Sequence, residues 1–381
     1  MIPYGRQDIS QADIDAVTAV LRSDFLTQGP VVPRFEAAVA AVTGAAHAVA
    51  VNSATSALHI ACMALDLGPG DILWTVPNTF VASANVGIYC GADVDFVDIT
   101  PDTYVMDPAA LAVKLAAADK AGTLPKIIIP VHFAGQSADM AAIAALARPH
   151  GIRIIEDASH AIGASYLGQP VGNCAYSDIA VFSFHPVKII TTAEGGLATT
   201  QDAELAYLMG LHRSHGITRD PARMGANPGG WYYEMVDLGY NYRMTEMQAA
   251  LGLSQMDRLA EFVDRRQAIA ARYGVLLADL PLLRPVQSPD SRSALHLYPI
   301  QVDNRAAVFA ALRHAEIGVN VHYIPVHTQP FWRARGFNTG DFPVSEAYYN
   351  RAISIPIYAG LTDADQDVVV AALTDALSDQ R

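Results

Sequence analysis

At 381 residues the chain is too long for one ordinary core and its length points to two or three domains, while 51% hydrophobic and only 17% charged residues leave ample apolar material for a large buried sheet and an oligomer interface. Its net charge of −13 argues against a basic surface for nucleic acid, and no apolar run reaches the length of a membrane span. Residues Met1 to Gln7 lack the apolar segment of a secretory signal, and the three cysteines (Cys62, Cys90, Cys174) show no metal-ligand spacing, so a reduced cytoplasmic protein without a metal is expected.

Ser10 and Asp13 have the spacing of a capping box that opens a helix through about Leu21. A polar glycine-proline break, Ser23 to Pro30, separates it from a second helix over Val32 to Val42, where Phe35, Val39 and Val42 share one side. Short β-branched runs then alternate with helices. Strands are expected at His47–Val51, Ile72–Thr75, Val94–Val97, Ile127–Val131, Ile152–Glu156 and Ile179–Phe184, with helices over Ala54–Leu67 and Phe80–Tyr89. This pattern predicts an α/β domain with a mostly parallel sheet buried on both faces. A long helical stretch is expected from Thr245 to about Leu280. The proline- and serine-rich segment Pro281 to Ser293 marks a boundary between a large domain, residues 1–280, and a small α+β domain, residues 281–381. In the latter, strands His296–Val302 and Val319–Ile324 flank a helix over Arg305–Ala315, and a last helix covers Asp363–Leu377.

Ligands of such sheets gather at the carboxyl ends of the strands. Three candidate elements fall there: Asn52 to Ser56, Asp157, and Ser183 to Lys188. An amine able to form a Schiff base and a carboxylate able to hold a pyridine nitrogen protonated are the minimum equipment for pyridoxal phosphate chemistry, with Lys188 and Asp157 in those roles. Thr55 and Ser56 open a helix whose free N–H groups and dipole attract a phosphate. Each has a bland alternative: a plain N-cap for Asn52 to Ser56, and the N-cap of a helix from Ala158 onward for Asp157.

With these residues in place the chain resembles the DegT/DnrJ/EryC1/StrS sugar aminotransferases, a family of fold-type I pyridoxal phosphate enzymes. The motifs that carry the resemblance are SDFLTQGP (23–30), NSATSAL (52–58), TFVASAN (79–85), PVHFAGQ (130–136), 182–196, RSHGITRD (213–220), YNYR (240–243) and VHYIPVH (321–327). The commoner family form has glycine at the positions of Ala54 and Ala193, and alanine at both resembles the branch that aminates C4 of the sugar. Some relatives that deoxygenate sugars carry histidine where this chain has Lys188, so the lysine favours transamination.

The resemblance implies pyridoxal phosphate on Lys188, with Asp157 on the ring nitrogen and Ala54, Thr55, Ser56 and Ser183 around the phosphate. It implies Phe80 stacked on the ring, His160 near the phenolic oxygen, and Asn241 reaching the phosphate from the second subunit of a homodimer. A core phenylalanine, a core histidine and an ordinary loop are the respective alternatives. For a UDP-linked 4-keto-6-deoxy-N-acetylhexosamine it points to Tyr4, to Asp24, Phe25, Leu26 and Thr27, and to His322, Tyr323, Ile324 and Pro325. Arg243 is the candidate for the carboxylate of the donor, L-glutamate, because a guanidinium binds a carboxylate through two hydrogen bonds. Arg6 and Arg213 compete for that role. The rival reading from another class is a non-catalytic protein that holds the cofactor or a nucleotide sugar, against which the intact Lys188 and Asp157 speak.

Overall fold

Seven strands form the central sheet of the computed structural model, which describes residues 1–378. Their spatial order is His47–Val51, Gly196–Thr200, Ile179–Ser183, Arg153–Asp157, Ile127–Ile128, Ile72–Thr75 and Asp93–Phe96. Only Gly196–Thr200 is antiparallel to its neighbours. The remaining direct pairings between adjacent strands are parallel. The sheet is buried on both faces, as the near-continuous apolar runs require. Val49, Val51, Ile155, Ile179 and Val181 point into a core shared with the helices Ala54–Ala64, Ala82–Tyr89 and Ala203–His212. The alternate residues Ala50, Phe182 and Leu197 pack instead against Phe35, Val39 and the helix Glu246–Met256. This period of two places Asp157, in phase with Ile155, on the side of helix Ala54–Ala64.

Ser10 and Asp13 form the expected capping box at the start of helix Gln11–Leu21. The stretch expected to be one helix from Thr245 to Leu280 is two, Glu246–Met256 and Leu259–Leu276. No proline or glycine marks the break. Arg258 leaves helical geometry there and pairs with Asp8 (2.7 Å) and with the buried Asp13 (2.6 Å), so tertiary ion pairs decide it. The segment Val319–Ile324, expected as a strand, makes only a bridge from Asn320 to Ser354. Asn78 Oδ1 accepts the Tyr323 N–H (3.2 Å) in place of a strand neighbour, and the chain turns there. Strand Tyr298–Gln301 pairs instead with Ala352–Ile355, a strand the sequence reading passed over.

That pair, with helices Arg305–His314 and Asp363–Ser378, surrounds a separate apolar cluster. Helix Leu259–Leu276 serves both units: Leu259, Phe262 and Val263 pack on the large sheet, while Ile269 and Tyr273 enter the C-terminal cluster. Between them Arg266 is fully buried, and its guanidinium donates to the carbonyls of Leu295, His296 and Ile357. Burial lowers its pKa to about 10. Among the described residues no helix is long and apolar enough to cross a membrane.

Candidate active site

At the carboxyl edge of the sheet lies a cavity of about 600 Å³, lined from both units. Strand Ile179–Ser183 delivers Ser183 to it and continues into the loop that carries Lys188. That loop is closed by backbone bonds from Phe184 N to Gly195 O and from Thr192 N to Phe184 O, both 3.0 Å. Strand Arg153–Asp157 ends in the Asp157 carboxylate. From the C-terminal unit come His296, Asn320, His322 and Tyr323, and from the N-terminal arm Tyr4.

The Lys188 side chain is partly open to the cavity, but protein packed around it strips water from the amine. Burial lowers its pKa from 10.5 to about 8, against the opposing pull of Asp157. Among the described residues its side chain makes no hydrogen bond and no ion pair within 4.0 Å. Asp157 is held from two directions: the Ser83 hydroxyl donates to Oδ2 (2.6 Å) and the Ser159 N–H to Oδ1 (3.1 Å). Among the described residues no helix opens at Ala158, so the helix-cap alternative is not realised; the Ser159 bond closes a turn while the carboxylate faces the cavity.

At the first turn of helix Ala54–Ala64, Ser53 is the N-cap and its Oγ accepts the Ser56 N–H (3.1 Å). Ser56 turns inward, its hydroxyl donating to Asn52 Oδ1 (2.7 Å), so it does not line the cavity, contrary to expectation. Ser53, Ala54 and Thr55 do line it. The helix can start this close to strand Gly196–Thr200 only because Gly196 lacks a side chain: a Cβ there would lie 2.4 Å from Ala54 N.

Phe80, 59% exposed, stands at the mouth with its ring 6.3 Å from that of Tyr323. His160 is buried at the floor, 4.4 Å ring to ring from His296. Burial first, then the Lys188 charge, hold both imidazoles well below the ordinary range, and the same causes push His322 down to about 3. Among the described residues the buried Nδ1 of His296 has no hydrogen-bond partner. The cavity thus presents one readily deprotonated amine, the hydrogen-bonded Asp157 carboxylate with Glu194 as a second acid in the lining, the neutral imidazoles of His160, His296 and His322, and a helix N-terminus.

Those groups fit pyridoxal phosphate: an amine for its aldehyde, a carboxylate for its pyridinium, and hydroxyls and N–H groups for its phosphate. The sequence profile of the DegT/DnrJ/EryC1/StrS aminotransferase family matches residues 7–374. The chain belongs to this family. It is 41% identical over 383 residues to the spore coat polysaccharide biosynthesis protein SpsC of Bacillus subtilis, covering 98% of this chain and 96% of that one. Among solved structures, a candidate sugar aminotransferase of Streptococcus pneumoniae in its PMP-form superposes with a TM-score of 0.91 at 30% identity, covering 100% of both chains. The same protein in its PLP-form gives 0.90. Helicobacter pylori PseC, an aminotransferase involved in the biosynthesis of pseudoaminic acid, also gives 0.90 at 30% identity, covering 99% of each. The protein is accordingly a sugar aminotransferase of the α/β fold-type I class that uses pyridoxal phosphate.

Of the other residues singled out in the sequence, Asp24, Phe25, Leu26, Thr27, Asn241, Arg243, Ile324 and Pro325 do not line this subunit's cavity. Asp24 to Thr27 are exposed and sit beside 245–246, with Thr27 bridged to Thr245 and Leu26 O accepting the Glu246 N–H (3.0 Å). Arg243 donates to the Ser214 hydroxyl (3.1 Å). Arg213 is tied to Glu36 (2.5 Å) and the Ala50 carbonyl, and Arg6 lines a different cleft. Sequence reading assigned no role to Ser83, His296 or Asn320. Ser83 sits within TFVASAN, three residues after Phe80 and therefore on the same side of a helical turn, a signal that was available. A lone histidine at 296 carries no such mark.

Proposed function

We propose that this enzyme moves the amino group of L-glutamate to C4 of a UDP-linked 4-keto-6-deoxy-N-acetylhexosamine, giving UDP-4-amino-4,6-dideoxy-N-acetyl-β-L-altrosamine. The observation that carries the aminotransferase site is the Lys188 amine, isolated in the cavity with Asp157 and lowered to about 8. The sugar assignment draws on the likeness to PseC and on alanine at 54 and 193. The 41% identity to SpsC favours a second reading, amination of another 3- or 4-keto nucleotide sugar.

Lys188 would carry the pyridoxal phosphate, Asp157 would hold its ring nitrogen protonated, and Ala54, Thr55 and Ser183 would meet its phosphate. Phe80 would cover the ring. When bound, the cofactor supplies an electron sink for the pair left when a carbon next to nitrogen loses a proton. Lys188 Nζ, neutral for an appreciable fraction of the time near neutral pH, takes that proton and returns it. Tyr4, His322 and Tyr323 form the wall that orients the sugar, and the protein packed around Lys188 keeps water from the amine.

Asp24 to Thr27, beside Thr245 and Glu246, and Asn241 to Arg243, beside Val51 and Ser214, both lie outside the cavity, which fits delivery into the site of a second copy in a homodimer. Arg243 would then receive the carboxylate of glutamate. Absorbance of the purified holoenzyme tests both halves. L-glutamate should abolish the visible band, and the UDP-4-keto sugar should restore it. Failure of that sugar, with restoration by a different keto-sugar, overturns the substrate; a band never altered by glutamate overturns the donor.

A further inference from the structure

His160 is fixed at both nitrogens. The backbone N–H of Ala134 donates to Nδ1 (3.2 Å), and Tyr323 Oη lies 3.1 Å from Nε2. A ring nitrogen that accepts from an N–H carries no hydrogen, so the neutral imidazole has its hydrogen on Nε2. Nε2–H must then donate to Tyr323 Oη. A phenol oxygen that accepts from one side turns its own hydrogen to another. Among the described residues Oη has no second hydrogen-bond partner, and Tyr323 lines the cavity with Lys188 and Asp157.

The donor at Ala134 is itself built in. Ala134 adopts the left-handed region at φ 58°, a conformation disfavoured for a residue with a side chain. The turn Phe133–Gly135 cannot relax easily. Gly135 has φ 102°, and a Cβ on it would meet Leu295 N at 2.7 Å. The Tyr323 ring is held edge-to-face by Phe133 at 6.2 Å, and its N–H by Asn78. Burial pushes the phenol up, so it stays protonated.

We propose that Tyr323 is a hydrogen-bond donor aimed into the cavity, where it binds a carbonyl or anionic oxygen of the ligand, and that His160 is the positioning residue that sets its direction. This rests on the cavity being the cofactor and sugar site. His160 therefore acts through Tyr323 and does not itself donate to the ligand. The acceptor is an oxygen either of the bound cofactor or of the keto-sugar.

Nitrogen-15 NMR of histidine-labelled enzyme, cofactor-free and loaded, tests the geometry without turnover. The His160 signal, assigned by its loss in His160→Gln, should show a protonated Nε2 and a bare Nδ1, with no titration around neutral pH. A protonated Nδ1 or an imidazolium overturns the proposal. Tyr323→Phe then separates the acceptors. If the acceptor is a cofactor oxygen, the pH at which the bound cofactor's visible band titrates rises, by about tenfold in proton affinity for one lost charge-assisted bond. If it is a sugar oxygen, the band is unchanged and kcat/KM for the keto-sugar falls about tenfold or more. His160→Gln, whose amide can accept from Ala134 and donate to Tyr323, should retain the wild-type value, whereas His160→Leu should match Tyr323→Phe. A Tyr323→Phe enzyme unchanged in both readouts, or a wild-type-like His160→Leu, sinks the idea. If the wild-type enzyme ignores the keto-sugar, the substrate reading fails while the tautomer and the cofactor band still decide this one.

Discussion

Burial and Asp157 pull the Lys188 amine in opposite directions, and burial prevails, so that the folded protein releases its proton at about 8 and not 10.5. A native pKa below the unfolded one means that the unfolded chain holds more protons between those two values. Stability should therefore rise as pH climbs through that window and sit lower, by a constant amount, beneath it. For the cofactor-free enzyme the rise is on the order of 3 kcal/mol, read from urea unfolding at successive pH values. Lys188→Met should remove the slope and be the more stable protein at neutral pH. Parallel curves for the two proteins would mean that the amine is well solvated. Its counterpart Asp157 depends on Ser83, whose hydroxyl donates at 2.6 Å. Ser83→Ala removes a hydrogen bond to a charged acceptor, typically about 1.5–3 kcal/mol. Cofactor titration followed by fluorescence should show at least about tenfold weaker binding; an unchanged affinity would show that the Ser159 N–H alone orients the carboxylate.

The strand Gly196–Thr200 shows how an element can escape the sequence yet govern the site. Its residues, Gly-Leu-Ala-Thr-Thr, are small, follow a second glycine and lack the bulky β-branched run that revealed its neighbours. It is nevertheless completely buried between His47–Val51 and Ile179–Ser183. Small residues suit it because helix Ala54–Ala64 starts directly against it, Ser53 and Ala54 lying within 2.5 Å of where a Gly196 Cβ would stand. Gly196→Ala should push that helix start away. We expect a loss of about 1–3 kcal/mol in thermal stability, together with weaker cofactor binding, because Ala54 and Thr55 move with the helix. A variant destabilised but with wild-type cofactor affinity would separate the packing from the phosphate site. The strands that were legible, such as Ile179–Ser183, combine length, β-branching and burial. The break at Asp257–Arg258 was not legible because its cause, the pairing of Arg258 with Asp8 and Asp13, lies some 250 residues away in the chain.

At the scale of the whole molecule, the sequence marked two groups of residues that one chain does not unite. Lys188, Asp157, Phe80, His160, Tyr4, His322 and Tyr323 meet in the cavity because each follows a strand end or a turn of this subunit. Asp24 to Thr27, beside Thr245 and Glu246, and Asn241 to Arg243, beside Val51, Asn52 and Ser214, stay outside it, a placement invisible to any periodicity within one chain. The segment that precedes Asn241 in the chain leaves apolar side chains in solvent: Trp231 (75% exposed), Tyr233, Met235 and Leu238. Apolar surface of this kind is stabilised by coverage, and in the proposed homodimer a second copy covers it. The substitutions Trp231→Asp and Met235→Asp together place two charges in that surface, at residues that make no contact with the cavity. Sedimentation velocity should then show a monomer, and the monomer should bind pyridoxal phosphate at least about tenfold more weakly, the effect of losing one hydrogen bond to a charged group. Circular dichroism matching the parent keeps the comparison meaningful. A dimer that survives the two charges places the subunit contact elsewhere, and a folded monomer with undiminished cofactor affinity removes Asn241 from the site of its partner.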